Sequence, residues 1–368
     1  MPTQNTNVYN PGYGILYLAP GETWTVAKGV NVSGGVGAVY SGFVNSTLIN
    51  KGDLFGGTFG VNFDAGGQIS NYTVINKASG VIDDPYAVYI ANFLGAAKVD
   101  NAGEIRGKFV GVYASGSSDV SVKNTGEISS DGFGLFVAAT SAGAKGPVID
   151  NHGKIESHQT GVYISGPNNV SAKLVNHKGG VIEGDGLALD VYSPINFKNE
   201  GKVIGTVFTS AYQDSVLNKA KFKGDLALNG GDDVLKNKGD GKITGLLDTG
   251  DGNDMVWLGK KVDKLLFGSD LDALTNVDTI KKFASGKDKL FLDDDVFSTI
   301  AAGNLSSSAF HKGTSAADAD DRIIYDKKSG ALYYDPDGVG GVGQVQFAKL
   351  DGGPKLKASD FTVGEFSF

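Results

Sequence analysis

One phrase, Asn-x-Gly-x followed by an aliphatic residue, recurs along most of this 368-residue chain and constrains its fold more than any other feature. It reads Asn50-Lys-Gly-Asp-Leu54, Asn101-Ala-Gly-Glu-Ile105, Asn124-Thr-Gly-Glu-Ile128, Asn151-His-Gly-Lys-Ile155 and Asn199-Glu-Gly-Lys-Val203. Stretched forms begin at Asn76, Asn176 and Asn237, and a degenerate one at Asn218. The intervals from Asn50 to Asn237 are 26, 25, 23, 27, 25, 23, 19 and 19 residues. A second phrase falls near the middle of the intervals: Ala38-Val-Tyr40, Gly60-Val-Asn62, Ala87-Val-Tyr89, Gly111-Val-Tyr113, Gly134-Leu-Phe136 and Gly161-Val-Tyr163. Such a period marks stacked supersecondary units that bury a core only against their neighbours.

The segments between the glycines are short, rich in Val, Ile, Tyr and Phe, and alternate with period two, which is strand patterning. Several strands per repeat suit one coil of a solenoid, each coil lying ~4.8 Å from the next. A leucine-rich repeat would need a leucine consensus that is missing. The expected fold is therefore all-β: a parallel β-helix of about ten coils, with a different, β-rich flank after it. Composition divides the chain into a cap at 1–28, the β-helix at 29–259 and the flank at 260–368. Glycine, 55 of 368 residues, is expected to supply the positive-φ corners.

The repeat asparagines are expected to stack at one corner, their amides hydrogen-bonding from coil to coil. Alternation sends Val39, Val61, Val88, Val112, Leu135 and Val162 inward. Tyr40, Tyr89, Tyr113, Phe136 and Tyr163 then face outward in a column, with Asn62 in the same row. Such a column either stacks on sugar rings or a partner, or simply stabilises its own sheet. Those five aromatic residues are the candidate ligand-binding residues.

Near the end of the repeats stand Asn229-Gly-Gly-Asp-Asp-Val-Leu235 and Thr249-Gly-Asp-Gly-Asn-Asp-Met-Val256. The second resembles the calcium-binding nonapeptide of RTX proteins, and the first is a more degenerate copy. The resemblance implies bound calcium, with Gly231, Asp233, Gly250, Asp251, Gly252 and Asp254 as candidate metal residues. Glycines let carbonyls turn toward such an ion and aspartates add carboxylates. The last ~110 residues resemble the C-terminal flank of RTX proteins exported by type I secretion, on Asn276-Val-Asp-Thr-Ile-Lys-Lys-Phe283, Gly286-Lys-Asp-Lys-Leu-Phe-Leu292, Gly330-Ala-Leu-Tyr-Tyr-Asp-Pro-Asp-Gly338 and Ser359-Asp-Phe361. The β-helix portion resembles the repeats of bacterial adhesins and autotransporters. Together these resemblances imply a secreted, extracellular protein of a Gram-negative bacterium, with a type I exporter as partner and an uncleaved signal near Gly364-Glu-Phe-Ser-Phe368.

Absence of a basic, apolar N-terminal run gives no cleavable signal peptide, and no apolar stretch is long enough for a membrane-spanning helix. The chain has no cysteine, which removes disulfides, thiolate metal sites and cysteine nucleophiles. Its net charge of −8 argues against nucleic acid as a partner. Neither His-Glu-x-x-His nor Gly-x-Ser-x-Gly occurs, which excludes the RTX metalloproteases and lipases. Asp83-Asp84 is the nearest approach to an acidic catalytic patch, while His152 and His177, each following a repeat asparagine, read as solvated corners. Asp293–Asp295, Asp318, Asp320 and Asp321 read as solvated loops. The expected function is an extracellular calcium-binding surface-structural or adhesin-like module for a cell-surface or extracellular polysaccharide, not an enzyme. The alternative is a polysaccharide lyase, hydrolase or epimerase. An acidic groove with a basic residue on one face would favour the enzyme, and an unbroken aromatic column the binder.

Overall fold

The computed structural model describes every residue except 18, 65, 67, 93, 367 and 368. Strand makes up 52% of it and helix 1%, arranged as a parallel β-solenoid of about 12 turns. Two compact units, Met1–Gly205 and Thr206–Phe368, divide the chain inside the stretch that the repeats alone assign to one β-helix.

In the first unit each coil presents three faces. The first carries strands that end on the repeat asparagine, such as Asn71–Asn76, Ala96–Asn101 and Val120–Asn124. The second carries short strands such as Glu127–Ser130 and Lys154–Ser157, and the third carries Phe133–Ala139 and Thr160–Ser165. Val81–Asn92 and Glu104–Gly116 bend continuously from the second face to the third. Pairing between coils is parallel and in register, Asn76 on Asn101, Asn101 on Asn124 and Asn124 on Asn151.

Alternation fills the interior with three columns, one per face. They are Leu48–Val74–Val99–Val122–Ile149–Leu174, Leu54–Ile82–Ile105–Ile128–Ile155–Ile182 and Val39–Val61–Val88–Val112–Leu135–Val162, all essentially inaccessible. Each such side chain stabilises the fold by ~1.5–3 kcal/mol. The corner is closed by the asparagines as expected. Each amide donates to the next coil's amide oxygen at 2.9 Å, from Asn50 to Asn76 and onward through Asn101, Asn124, Asn151, Asn176 and Asn199.

The glycines after those asparagines serve a different purpose from the one expected. Gly103, Gly126, Gly153 and Gly201 are absent from the positive-φ positions. A Cβ on any of them would overlap a backbone carbonyl of the coil below. Close approach, rather than handedness, is what requires glycine there.

In the second unit the coils are shorter. Ser215–Asn218, Val234–Asn237, Met255–Trp257 and Asp278–Lys281 stack in parallel on one face. Lys264–Phe267, Lys289–Asp293 and Phe361–Gly364 stack on another. A hairpin forms between Ile323–Asp326 and Ala331–Tyr334, and Val345–Leu350 adds a third antiparallel strand. The acidic loops are less solvated than their composition suggests. Asp293 and Asp321 are buried, because Asp293 accepts the Phe366 N–H and Asp321 those of Ala317 and Asp318.

Candidate functional site

The corner between the second and third faces of the first unit carries a groove of about 370 Å³, lined by Arg106, Ser129, Asp131, Glu156, His158, Glu183 and Asp185 among others. Register builds it. Asp83, Arg106, Ser129, Glu156 and Glu183 occupy one outward row of successive coils. Arg106 pairs with Asp83 at 3.3 Å and more closely with Glu104. Lys154 pairs with Glu127 at 3.3 Å and more closely with Glu156. The His158 imidazole meets Asp131 at 3.0 Å through Nδ1. Four carboxylates against one guanidinium leave the groove acidic.

Beyond Asp131 the same corner continues as a second, more apolar groove of about 380 Å³, lined by Tyr86, Lys108, Phe109, Phe133 and Gln159. Phe109 is 49% exposed. The Tyr86 ring lies 5.6 Å from it, tilted.

The five aromatic residues anticipated as ligand-binding stand on the third face, half-buried. Tyr89, Tyr113, Phe136 and Tyr163 form an unbroken stack at centroid separations of 4.7, 4.9 and 4.5 Å with interplanar angles near 20°. Asn62 separates Tyr40 from that stack, and Tyr40 instead stacks on Tyr13 at 4.9 Å. The rings of the stack turn their faces to one another and only their edges outward. A sugar needs a ring face. Phe109 is more exposed than any member of the stack, and it falls outside the repeated phrase, so the repeat does not point to it.

The six residues anticipated for metal lie in the second unit. Gly231, Gly250 and Gly252 have φ of 106°, 81° and 128°. Asp251 is exposed, whereas Asp233 and Asp254 are buried. They belong to a longer column. Asp233 Oδ1 accepts the Asp214 N–H at 2.6 Å, Asp254 Oδ1 the Asp233 N–H at 2.7 Å, and Asp278 Oδ1 the Asp254 N–H at 3.0 Å. The signal for the other two members is an aspartate followed two positions later by an aliphatic, as in Asp214-Ser-Val216 and Asp278-Thr-Ile280. Burial pushes the carboxyls of Asp233 and Asp254 up to about 9, and neighbouring carboxylates add to it. Asp278 is pushed up to about 7, also chiefly by burial. Asp233 Oδ2 and Asp254 Oδ2 are buried with no hydrogen-bond partner. These orphaned oxygens are donors of the kind a hard cation takes, but among the described residues the one group of three carboxylate or imidazole ligands within 4.8 Å of one another is Asp150, His152 and His177.

The Asp83-Asp84 patch does not hold together as a pair. Asp83 turns outward to Arg106, while Asp84 turns inward, accepts the Gly56 N–H and is pushed up to about 7 by burial. His152 and His177 share the asparagine corner with Asp150, their rings stacked at 3.8 Å. Among the described residues, no helix is long and apolar enough to cross a membrane. No family model matches the chain, and no curated protein matches it.

Proposed function

We propose that the chain is an extracellular, calcium-stabilised β-solenoid of RTX type that binds an extended, largely uncharged polysaccharide along the corner groove of its first unit. The observation that carries this reading is the continuity of the groove. A polar half with carboxylates and hydroxyls adjoins an aromatic half with an exposed ring, and Asp131 lines both. Sugars are bound by that combination: hydrogen bonds to hydroxyls on one side and a ring face on the other. A polyuronate would meet like charge from Glu156, Glu183 and Asp185, so a neutral glycan is the better fit. The stacked column then serves the sheet, contributing ~0.5–1.5 kcal/mol per ring pair.

The aspartate column supports the calcium part of the proposal. Asp233 and Asp254 would hold the ion through their unpartnered oxygens, and the ion would supply the positive charge that lets both ionise. Export through a type I exporter goes with this reading and rests on the C-terminal resemblance, of which Ser367 and Phe368 lie outside the described residues. A second reading, glycoside hydrolysis, is favoured by the acidic groove with Arg106 on one face and the His158–Asp131 pair beside it, the feature expected of an enzyme, while the aromatic column expected of a binder is interrupted at Asn62.

The test is binding of the full chain to a panel of neutral and acidic polysaccharides in millimolar calcium, with assay for new reducing ends. Binding to neutral glycans that Phe109→Ala weakens about tenfold or more, with no reducing ends, is the expected result. Reducing ends abolished by Asp131→Asn would establish the hydrolase instead. Binding that Phe109→Ala leaves unchanged would remove the groove.

A further inference from the structure

We propose that Asp150, His152 and His177 form a binding site for a divalent transition-metal ion, with zinc as the reference ion. One carboxylate oxygen and one imidazole nitrogen from each histidine all lie within 4.8 Å of one another. His177 Nε2 is 2.5 Å from Asp150 Oδ1, and His152 Nε2 is 3.6 Å from Asp150 Oδ2. Two imidazoles from adjacent coils thus aim the same ring nitrogen at one carboxylate. A histidine held only to pair with an aspartate needs no second imidazole, and the His158–Asp131 pair has none. The donor set of two imidazoles and one carboxylate suits zinc or a neighbouring transition ion, whereas calcium takes oxygen alone.

The fold positions this set with little freedom. Asn151, between Asp150 and His152, and Asn176, just before His177, are buried members of the amide ladder and bond to each other at 2.9 Å. The backbone N–H of His152 bonds to Asn124 O and that of His177 to Asn151 O, both at 2.8 Å. All three ligand residues are therefore pinned one position away from the most rigid feature of the coil. The rings themselves must adjust. Rings with centroids 3.8 Å apart and planes 7° from parallel cannot both point their lone pairs at one ion, so they splay on binding. The side chain of His152, 42% exposed, has room to do so. Three protein ligands leave a coordination position open to solvent, which is the arrangement of a site that takes water or an exogenous ligand.

The experiment is calorimetric titration of the full chain with zinc, in metal-free buffer supplemented with calcium so that oxygen-only sites are filled. One equivalent of zinc is expected, with affinity falling about tenfold or more in His177→Ala and in Asp150→Asn and unchanged in His158→Ala. As a second readout on wild-type protein, zinc should protect His152 and His177, but not His158, from modification by diethylpyrocarbonate. No saturable uptake by the wild type, or equal uptake by the double variant His152→Ala/His177→Ala, overturns the site. So does equal modification of all three histidines with and without zinc.

Discussion

At the scale of single residues, the amide ladder is sensitive because each internal member is both donor and acceptor. Asn124 accepts from Asn101 Nδ2 and donates to Asn151 Oδ1 and Lys154 O. Asn124→Ala orphans the buried Asn151 oxygen, and a loss of about 2–4 kcal/mol is expected. Asn124→Asp keeps the shape but replaces a donor with a carboxylate facing the Asn151 oxygen. Its pKa in the fold would rise above the unfolded value, so its stability deficit should be largest at neutral pH and shrink as acid restores a proton. Melting of both variants at pH 4.5 and 7.5 checks this; an aspartate variant insensitive to pH would show that the corner is wetter than its burial indicates. The ladder was legible in the sequence because one residue type recurs at one position. The corner groove was not, because Arg106, Ser129, Glu156 and Glu183 share a position in the coil but no chemistry. Phe109 was invisible because it falls outside the repeated phrase.

At the scale of the turn, two kinds of glycine look alike in the sequence and differ in the structure. Gly126 has ordinary φ, but a Cβ there would collide with the Gly103 carbonyl and the Ala102 backbone. Gly179 has φ of 92° and nothing within 4 Å of a Cβ. Gly126→Ala requires two coils to part and should cost about 2 kcal/mol or more. Gly179→Ala strains one residue and should cost ~1–2 kcal/mol. Denaturant melts of the two variants compare them directly, and equal losses would mean that coil spacing yields easily at the corner. The strand pattern itself is legible in the sequence because inward and outward positions alternate at Val88 and Tyr89, Val112 and Tyr113, Leu135 and Phe136. The unit division at Gly205 left no mark, since the asparagine period runs through it with only a shortening from 23 to 19 residues after Asn199.

At the scale of the whole molecule, buried and half-buried carboxyls set how stability depends on pH and on cations. Asp84 is pushed up to about 7, Asp233 and Asp254 to about 9, Asp278 to about 7, and Asp248 and Asp263 to about 6, burial being the largest cause in each. A folded pKa above the unfolded one means the fold holds more protons than the unfolded chain. The stability these groups contribute is therefore complete below about pH 4 and is lost as pH rises toward about 9. In EGTA the melting temperature of the chain should fall steadily from pH 5 to pH 9. A calcium ion between Asp233 and Asp254 needs them ionised, so its binding releases protons and strengthens with pH. At the proposed site, with dissociation constants of ~10⁻⁴ to 10⁻³ M, 5 mM calcium would add about 1–2 kcal/mol, and the gap between the calcium and EGTA curves should widen with pH. Asp254→Asn separates the two effects. It keeps an oxygen to accept the Asp233 N–H but cannot ionise, so it should melt above wild type in EGTA at pH 8 and gain nothing from calcium. Parallel wild-type curves at all pH values, or an equal calcium gain in Asp254→Asn, would show that the aspartate column caps backbone N–H groups and holds no ion.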